Sequence, residues 1–428
     1  MRTLRRGGAG WRRFVASWHR SGSSRPAFAR PVGRIVDEVR RDGDRALVRL
    51  TARLDGVLLP PRGLRMPPAE VRGLARRAEP ALVAALQDMA RRIEAFHREQ
   101  KGRGFRLRLR DGSIVEEVVR PLDSAGLYVP GGSGAYPSSV LMSAIPARVA
   151  GVPRLVVATP PRALAANPAV AAAIVLLGLD REVLRVGGAQ AIAALAYGTE
   201  TIAPVAAIVG PGNAWVAEAK RQVQRICRVD AQAGPSEVVV LADEGANAGE
   251  VAIDLLAQAE HGSGEERAVL VTSSRRLATR VERLLAAGLP SVSNAAATRR
   301  ALERHGAVVL VRDVDEGVEA VNALAPEHVE VLTSAPLAVA RRIVAGAVFA
   351  GRWAPVAVGD YGIGPNHVLP TGGTARRSSP LSVRDFERRQ SLVRLTPRGL
   401  RRVAAGIAAV ARAEGFAGHA RSVLMRLP

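Results

Sequence analysis

Cysteine is almost absent: Cys227 is the only one in 428 residues. That excludes an internal disulfide framework and any zinc site built from several thiolates. Lysine is nearly as scarce, with Lys101 and Lys220 alone, so the formal net charge of +22 is carried by arginine. The arginines run through nearly every segment and form no single stripe of the kind nucleic-acid readers present. Aromatic residues make up 4% of the chain, too few for the stacking platforms of a single-strand binder. With no helix-turn-helix, zinc-finger or RNP pattern either, no nucleic-acid partner is expected. No apolar run reaches the roughly 18 residues that a membrane span needs, and AVAAAIVLLGL at 169–179 falls short. The basic opening MRTLRRGGAGWRR has no apolar stretch behind it, so the expectation is no secretory signal, no membrane partner and a cytoplasmic location.

A hydrophobic content of 48% with 23% charged residues belongs to a globular chain with a real core. Residues 1–30, rich in Arg, Gly and Ser, read as an N-terminal arm. Residues 32–55 place Val32, Ile35, Val36, Val39, Ala46, Leu47 and Leu50 near helical spacing, with Gly43 splitting the run in two. A second helical region covers about 68–100, and SIVEEVVR at 113–120 reads as a strand. From about residue 126 short apolar runs alternate with helical patterns. Strands are expected at 127–129, 154–159, 183–187, 205–210, 237–242, 268–273, 307–313, 328–333 and 347–351. Nearly continuous apolar strands between helices imply parallel sheets covered on both faces. The fold class expected is therefore α/β, with two Rossmann-like, doubly wound sheets plus small helical N- and C-terminal segments. The organisation expected is 31–125 with 238–378 as one unit, 126–237 as a second, and 379–428 as a helical tail.

Three strand ends run into glycine-rich turns: YVPGG (128–132), GGAQA (187–191) and GPGNAW (210–215). Each sets backbone N–H groups and a helix start toward any anion in front of them. Asn213 suits a helix N-cap and Gln190 lies in a helix's first turn. None is the G-x-G-x-x-G fingerprint, so the usual dinucleotide signal is missing. In LLAQAEHGSG (255–264), Gln258 and His261 are three apart and share a helix face. An amide oxygen with an imidazole suits a divalent cation. Asp360, in the Gly/Pro-rich loop VGDYGIGPNHVLPTGG, and His419, in AEGFAGHARS, are candidates for third and fourth ligands. Glu327 and His328, adjacent in LAPEHVEVL, offer a carboxylate that can orient water beside an imidazole that titrates near neutrality. His19, His97 and His305 read as surface groups, and Cys227 as a small buried residue, not a nucleophile.

These pieces, in order from about Val32 to the C-terminus, resemble the histidinol dehydrogenase family. The motifs are YVPGG…AYPSSVLM…AIPARVAGV, GGAQAIAALAYGT, GPGNAWVAEAKRQV, AGPSEVVVLAD, LLAQAEHG, LAPEHVEVL, GDYGIGPNHVLPTGGTAR and AEGFAGH. The resemblance implies NAD- and Zn2+-dependent oxidation of L-histidinol to L-histidine through L-histidinal, the last two steps of histidine biosynthesis. It implies that Gln258, His261, Asp360 and His419 ligate one zinc, and that Glu327 and His328 are the acid–base pair. Ser236, His367 and Glu414 would contact substrate, together with His328 and the metal ligands. Tyr128, Gln190 and Asn213 would contact NAD. It further implies an intertwined homodimer whose C-terminal tail carries Glu414 and His419 to the partner's site. The chain departs from the family pattern at Ser133, Trp215, the GSGEER turn, Gly362–Ile363 and Arg377, none of them a proposed ligand or acid–base group. A relative acting on another polar alcohol would be expected to change Ser236, His367 and Glu414, and all three are present.

Overall fold

The structure, a computed structural model, describes residues 1–20, 26–131, 136–230 and 234–427. Ser133 lies outside the described residues. In chain order the strands are β1 (Arg2–Arg5), β2 (Phe105–Arg108), β3 (Ile114–Pro121), β4 (Ser124–Tyr128), β5 (Arg154–Ala158), β6 (Val183–Leu184), β7 (Ala207–Val209), β8 (Arg228–Val229), β9 (Glu237–Ala242), β10 (Arg267–Thr272), β11 (Ala307–Leu310), β12 (His328–Leu332), β13 (Ala347–Ala350) and β14 (Glu387–Arg394).

They form three sheets. The first is all parallel in the order β6-β5-β4-β7-β8, and the second is all parallel in the order β1-β11-β10-β9-β12-β13. Every residue of β9 and β10 is buried, as strands covered on both faces require. In the first sheet the chain starts at the middle strand and winds outward both ways; in the second, β1 takes the edge beside β11, and the chain then winds outward both ways from β9. The strand order therefore reverses between β4 and β7 in the first sheet and between β9 and β12 in the second. The third sheet, β14-β3-β2, is antiparallel. The two Rossmann-like parallel sheets expected from the alternating pattern are present.

Several boundaries differ from the sequence reading. Within the arm expected at 1–30, residues 2–20 belong to the second sheet's unit: β1 pairs with β11, and the helix Ala9–Arg20 buries Trp11, Phe14 and Trp18 on the second sheet. Those rings recur at helical spacing, a periodicity hidden under the surrounding arginine. Residues 31–125 do not join the unit built on 238–378. Val32, Val36, Val39, Leu47 and Leu50 of the helix Pro26–Asp55 share a core with Val156, Leu184, Leu195 and Ile208 of the first unit. Met89 and Ile93 of the helix Pro80–Gln100 pack with Leu141 and Met142. Gly43, at φ 54°, does break the first of these helices. The tail is not wholly helical either. β14 pairs along its whole length with β3 before the helices Pro397–Ala413 and Ala417–Leu424, its single short apolar pair masked by arginine. Among the described residues no helix is long and apolar enough to cross a membrane.

Candidate active site

The three glycine turns converge on the carboxyl edge of the first sheet, at the reversal between β4 and β7. Ligands of open α/β sheets bind at that kind of crevice. Tyr128, the last residue of β4, is buried, and its hydroxyl accepts the Gly188 N–H at 3.0 Å. Burial pushes its phenol up to about 12, with the Gly188 N–H working against the rise and Asp55 adding to it. Gly210 follows β7 at φ 114°, and a side chain there would strike the Tyr128 carbonyl, so only glycine lets the two strand ends approach. Asn213 caps the helix Ala214–Val223: its side-chain oxygen accepts the N–H groups of Trp215 and Val216 at 3.1 and 3.2 Å. Gln190 is buried at the start of the helix Gly188–Tyr197, where its Nε2 donates to Asp55 at 3.3 Å and its Oε1 has no partner. Behind the third turn, Lys220 and Asp230 form a buried ion pair of 2.6 Å and bond both polar groups of Gly210. A 410 Å³ cavity opens there between the two units, with Lys220, Arg221, Thr374 and Arg377 in its wall. Trp215, one of the departures, packs edge-on against Phe28 at 5.4 Å.

The other group of residues lies on the opposite edge of the other sheet. Glu237 opens β9 and His328 opens β12, both at the amino edge, and Ser236 and Glu327 immediately precede them. The helix Ala248–Ala259 runs back over this sheet, so its C-terminal end brings Gln258 and His261 to the same edge. Their side chains meet at 3.2 Å, Gln258 buried and His261 exposed. The turn that follows carries no proline; Glu266 closes it by accepting the N–H groups of Ser263 and Gly264.

Glu327 and His328 are both buried, and the Glu327 carboxylate lies 3.5 Å from His328 Nδ1. The same nitrogen lies 3.1 Å from the Glu237 carbonyl oxygen, which can only accept, so Nδ1 carries the proton and Nε2 is the ring's free nitrogen. Burial works against charge on this ring, yet Glu327, then Asp360 and the Glu237 carbonyl, outweigh it and raise His328 to about 9. His367 Nδ1 sits 3.3 Å from the Asp360 carbonyl oxygen and 3.9 Å from its carboxylate. Burial holds the His367 imidazole below its ordinary value, Asp360 pulling the other way, and it also feels His328 and Glu327. Tyr361, beside Asp360, is exposed. Partial loss of solvent, then Asp360, Tyr136 and Glu260, the neighbour of His261, raise its phenol.

Glu414 and His419 are not gathered with the rest. They lie exposed on the terminal helix pair, whose small core is Ala408, Ala411 and Ala420, and the His419 ring stacks on Phe416 at 5.1 Å. Among the described residues no three His, Cys, Asp or Glu side chains come close enough within one chain to hold a metal ion. The resemblance had His419 reaching the partner's site, and within one chain the helix carrying it packs chiefly on the helix Pro397–Ala413.

Other expectations divide. Cys227 is buried, and burial pushes its thiol up to about 11, which fits a packing role. His97 is not a surface group: it is fully buried, 2.6 Å from Gln100 and 3.4 Å from Asn366, next to His367. The sequence reading missed Glu237 and Arg267, although a charged residue opening an all-apolar strand is a visible signal. It also missed Glu330, buried under the same helix as Gln258; burial, then Asp254, raises its carboxyl to about 9.

Glycine turns at the reversal point of one parallel sheet, together with a buried imidazole–carboxylate pair on a second, define an α/β enzyme of the dehydrogenase kind. Comparison with known proteins makes this specific. Residues 19–427 match the sequence model of the histidinol dehydrogenase family. The chain is 48% identical over 407 residues to histidinol dehydrogenase of Gluconobacter oxydans, covering 95% of this chain and 94% of that protein. It is 46% identical over 424 residues to that of Geobacillus kaustophilus, covering 99% and 98%. The crystal structure of histidinol dehydrogenase from Elizabethkingia anophelis superposes with a TM-score of 0.91 at 30% identity, covering 100% of this chain and 98% of that one. The chain belongs to the histidinol dehydrogenase family and is an oxidoreductase of histidine biosynthesis.

Proposed function

We propose that the protein oxidises L-histidinol to L-histidine through L-histidinal, with NAD as oxidant and one zinc ion per site, in the cytoplasm. The observation that carries this reading is the Glu327–His328 pair. It is a buried imidazole with one nitrogen fixed by a backbone carbonyl, and a carboxylate 3.5 Å away, beside Asp360 and His367. The side chains fit the two groups. Gln258 and His261 supply an amide oxygen and an imidazole at a helix C-terminus, whose partial negative charge favours a cation. Gln190 Oε1, buried without a partner, and the N–H groups at the Gly188 and Asn213 helix starts suit a dinucleotide at the opposite edge.

Gln258, His261 and Asp360 would hold zinc with His419 of a second copy, and Tyr128, Gln190 and Asn213 would hold NAD. Zinc when bound positions and polarises the substrate, and NAD takes up the hydride of each oxidation, four electrons in all. The chain's own residues handle protons and water. His328 takes the alcohol proton through its free nitrogen while Nδ1 stays bonded to the Glu237 carbonyl. Glu327 then draws a proton from the water that adds to the aldehyde carbon, and His328 accepts the next proton as the hydrate is oxidised. Ser236, His367 and the partner's Glu414 would contact the substrate's polar groups. Support for a homodimer with shared sites comes from the tail. Val403, Ile407 and Val410 form an exposed apolar stripe on the helix Pro397–Ala413, beside the exposed Glu414 and His419.

The test is stoichiometric. Zinc-loaded protein should form two NADH and one histidine per L-histidinol consumed. One NADH with released aldehyde would remove the second oxidation, and none would move the search to other alcohols.

A further inference from the structure

Four contacts make Glu237 the hub of the acid–base pair. Its backbone N–H donates to Glu327 Oε2 at 2.7 Å, and its carbonyl receives His328 Nδ1 at 3.1 Å. Its side chain returns the first bond, because Oε2 accepts the Glu327 N–H at 3.3 Å. Oε1 accepts the Gly372 N–H at 3.0 Å, in the segment that follows His367. The carboxylate is fully buried at the reversal point between β9 and β12, where its counter-ion is Arg267 at 3.5 Å on the neighbouring strand. Arg267 is fixed in turn by the Trp18 carbonyl at 2.9 Å and by the Trp18 ring, 4.6 Å away. The hydrogen bonds to the Glu237 side chain all come from N–H donors, which its carboxyl oxygens accept, whereas an amide turns a donor toward one; burial, offset by Arg267 and reinforced by the Glu327 charge, raises this carboxyl to about 8.

We propose that Glu237, anchored by Arg267, is a positioning residue: it fixes the backbone of Glu327 and the Gly372 segment so that the Glu327 carboxylate is aimed for water activation. This rests on the reading of Glu327 as the group that activates water. The residue makes no contact that assigns it to substrate, so its effect passes through Glu327. Because the His328 contact is to the backbone of Glu237, changing the side chain should disturb the aldehyde step more than the alcohol step.

The experiment measures oxidation of histidinol to histidinal and of histidinal to histidine separately, on one preparation each of wild type, E237Q, E237D and R267M. A ratio of two rates from one preparation is independent of the fraction folded. In E237Q aldehyde oxidation should fall by about 10²-fold, the scale of an ångström-sized misplacement, with the alcohol step changed several-fold at most and KM for histidinol within about threefold. E237D keeps the charge but cannot reach both N–H groups, and it should shift the ratio in the same direction. R267M should do so more weakly, and it keeps the test alive if E237Q does not fold. Equal loss of both steps, or an unchanged ratio in all three variants, would overturn the proposal. An E327Q control separates the two ideas: if it leaves aldehyde oxidation intact, the water-activation reading itself fails, whatever E237Q does.

Discussion

Replacing Glu327 with Gln keeps its shape and removes its charge, which separates its two effects on the site. One effect is on the neighbouring imidazole. His328 is raised from 6.5 to about 9, corresponding to about 3 kcal/mol in favour of the imidazolium. Burial opposes that rise, and Glu327 leads the contributions that produce it, ahead of Asp360 and the Glu237 carbonyl. Without the charge, the His328 pKa should fall. A base must be neutral to accept a proton, so in the wild type kcat/KM for the alcohol step should climb with pH and level off only near 9. In E327Q it should level off at lower pH, with much of the alcohol rate retained there. The other effect is on water: aldehyde oxidation should drop by about 10²- to 10⁴-fold, the usual weight of a general base. The sign for stability follows from the same group. Its folded pKa lies above its unfolded one, so its contribution is complete below 6.5 and lost as pH rises through about 9, and Tm should decline more over that window in wild type than in E327Q. Initial rates of NADH formation against pH, for each substrate, decide the matter. An acid limb that does not move, together with equal loss of both steps, would refute the assignment of Glu327.

Two further outcomes test the rest of the site. Tyr128→Phe leaves the Gly188 N–H without its acceptor; it should cost about 1–3 kcal/mol of stability by thermal unfolding and raise KM for NAD while KM for histidinol holds. His261→Asn and His419→Asn should each lose zinc on dialysis and activity with it, but unfolding and refolding them together should restore about a quarter of wild-type activity, since half the dimers would be mixed with one intact site each. No recovery would confine each site to one chain.

What was legible in the sequence is what packing dictates. β9 was legible because after Glu237 its run is wholly apolar, as a strand buried on both faces favours, whereas β12 carries the buried Glu330 at its centre. The pair Gln258 and His261 was legible from its spacing of three, although the helix stops at Ala259 and His261 lies in the turn that follows. What escaped was hidden by composition or by distance along the chain. The Trp11, Phe14 and Trp18 stripe lies among arginines, and β14 is so charged that only its partner β3 makes it a strand. The partner of the helix Pro26–Asp55 could not be read locally, since an amphipathic stripe states that a core exists without saying whose. Glu237 looked like no more than the polar first residue of the strand 237–242; only its register opposite Arg267 and its bonds to Glu327, ninety positions on, give it a role.

The two halves of the site use opposite edges of their sheets, and electrostatics gives a reason. In a parallel α/β sheet the carboxyl edge receives helix N-termini and the amino edge receives helix C-termini. The first sheet offers Gly188 and Asn213 at helix starts, with partial positive charge, which would suit the pyrophosphate of a dinucleotide. The second sheet offers Gln258 and His261 at a helix end, with partial negative charge, together with Asp360, Glu327 and Glu237, which suits a cation and a protonated imidazole. A dinucleotide at the amino edge would meet carboxylates, and a divalent cation at the carboxyl edge would meet N–H groups. On the proposed function, such a division of edges would let an anionic oxidant and a cationic metal reach one substrate without either binding in the other's place.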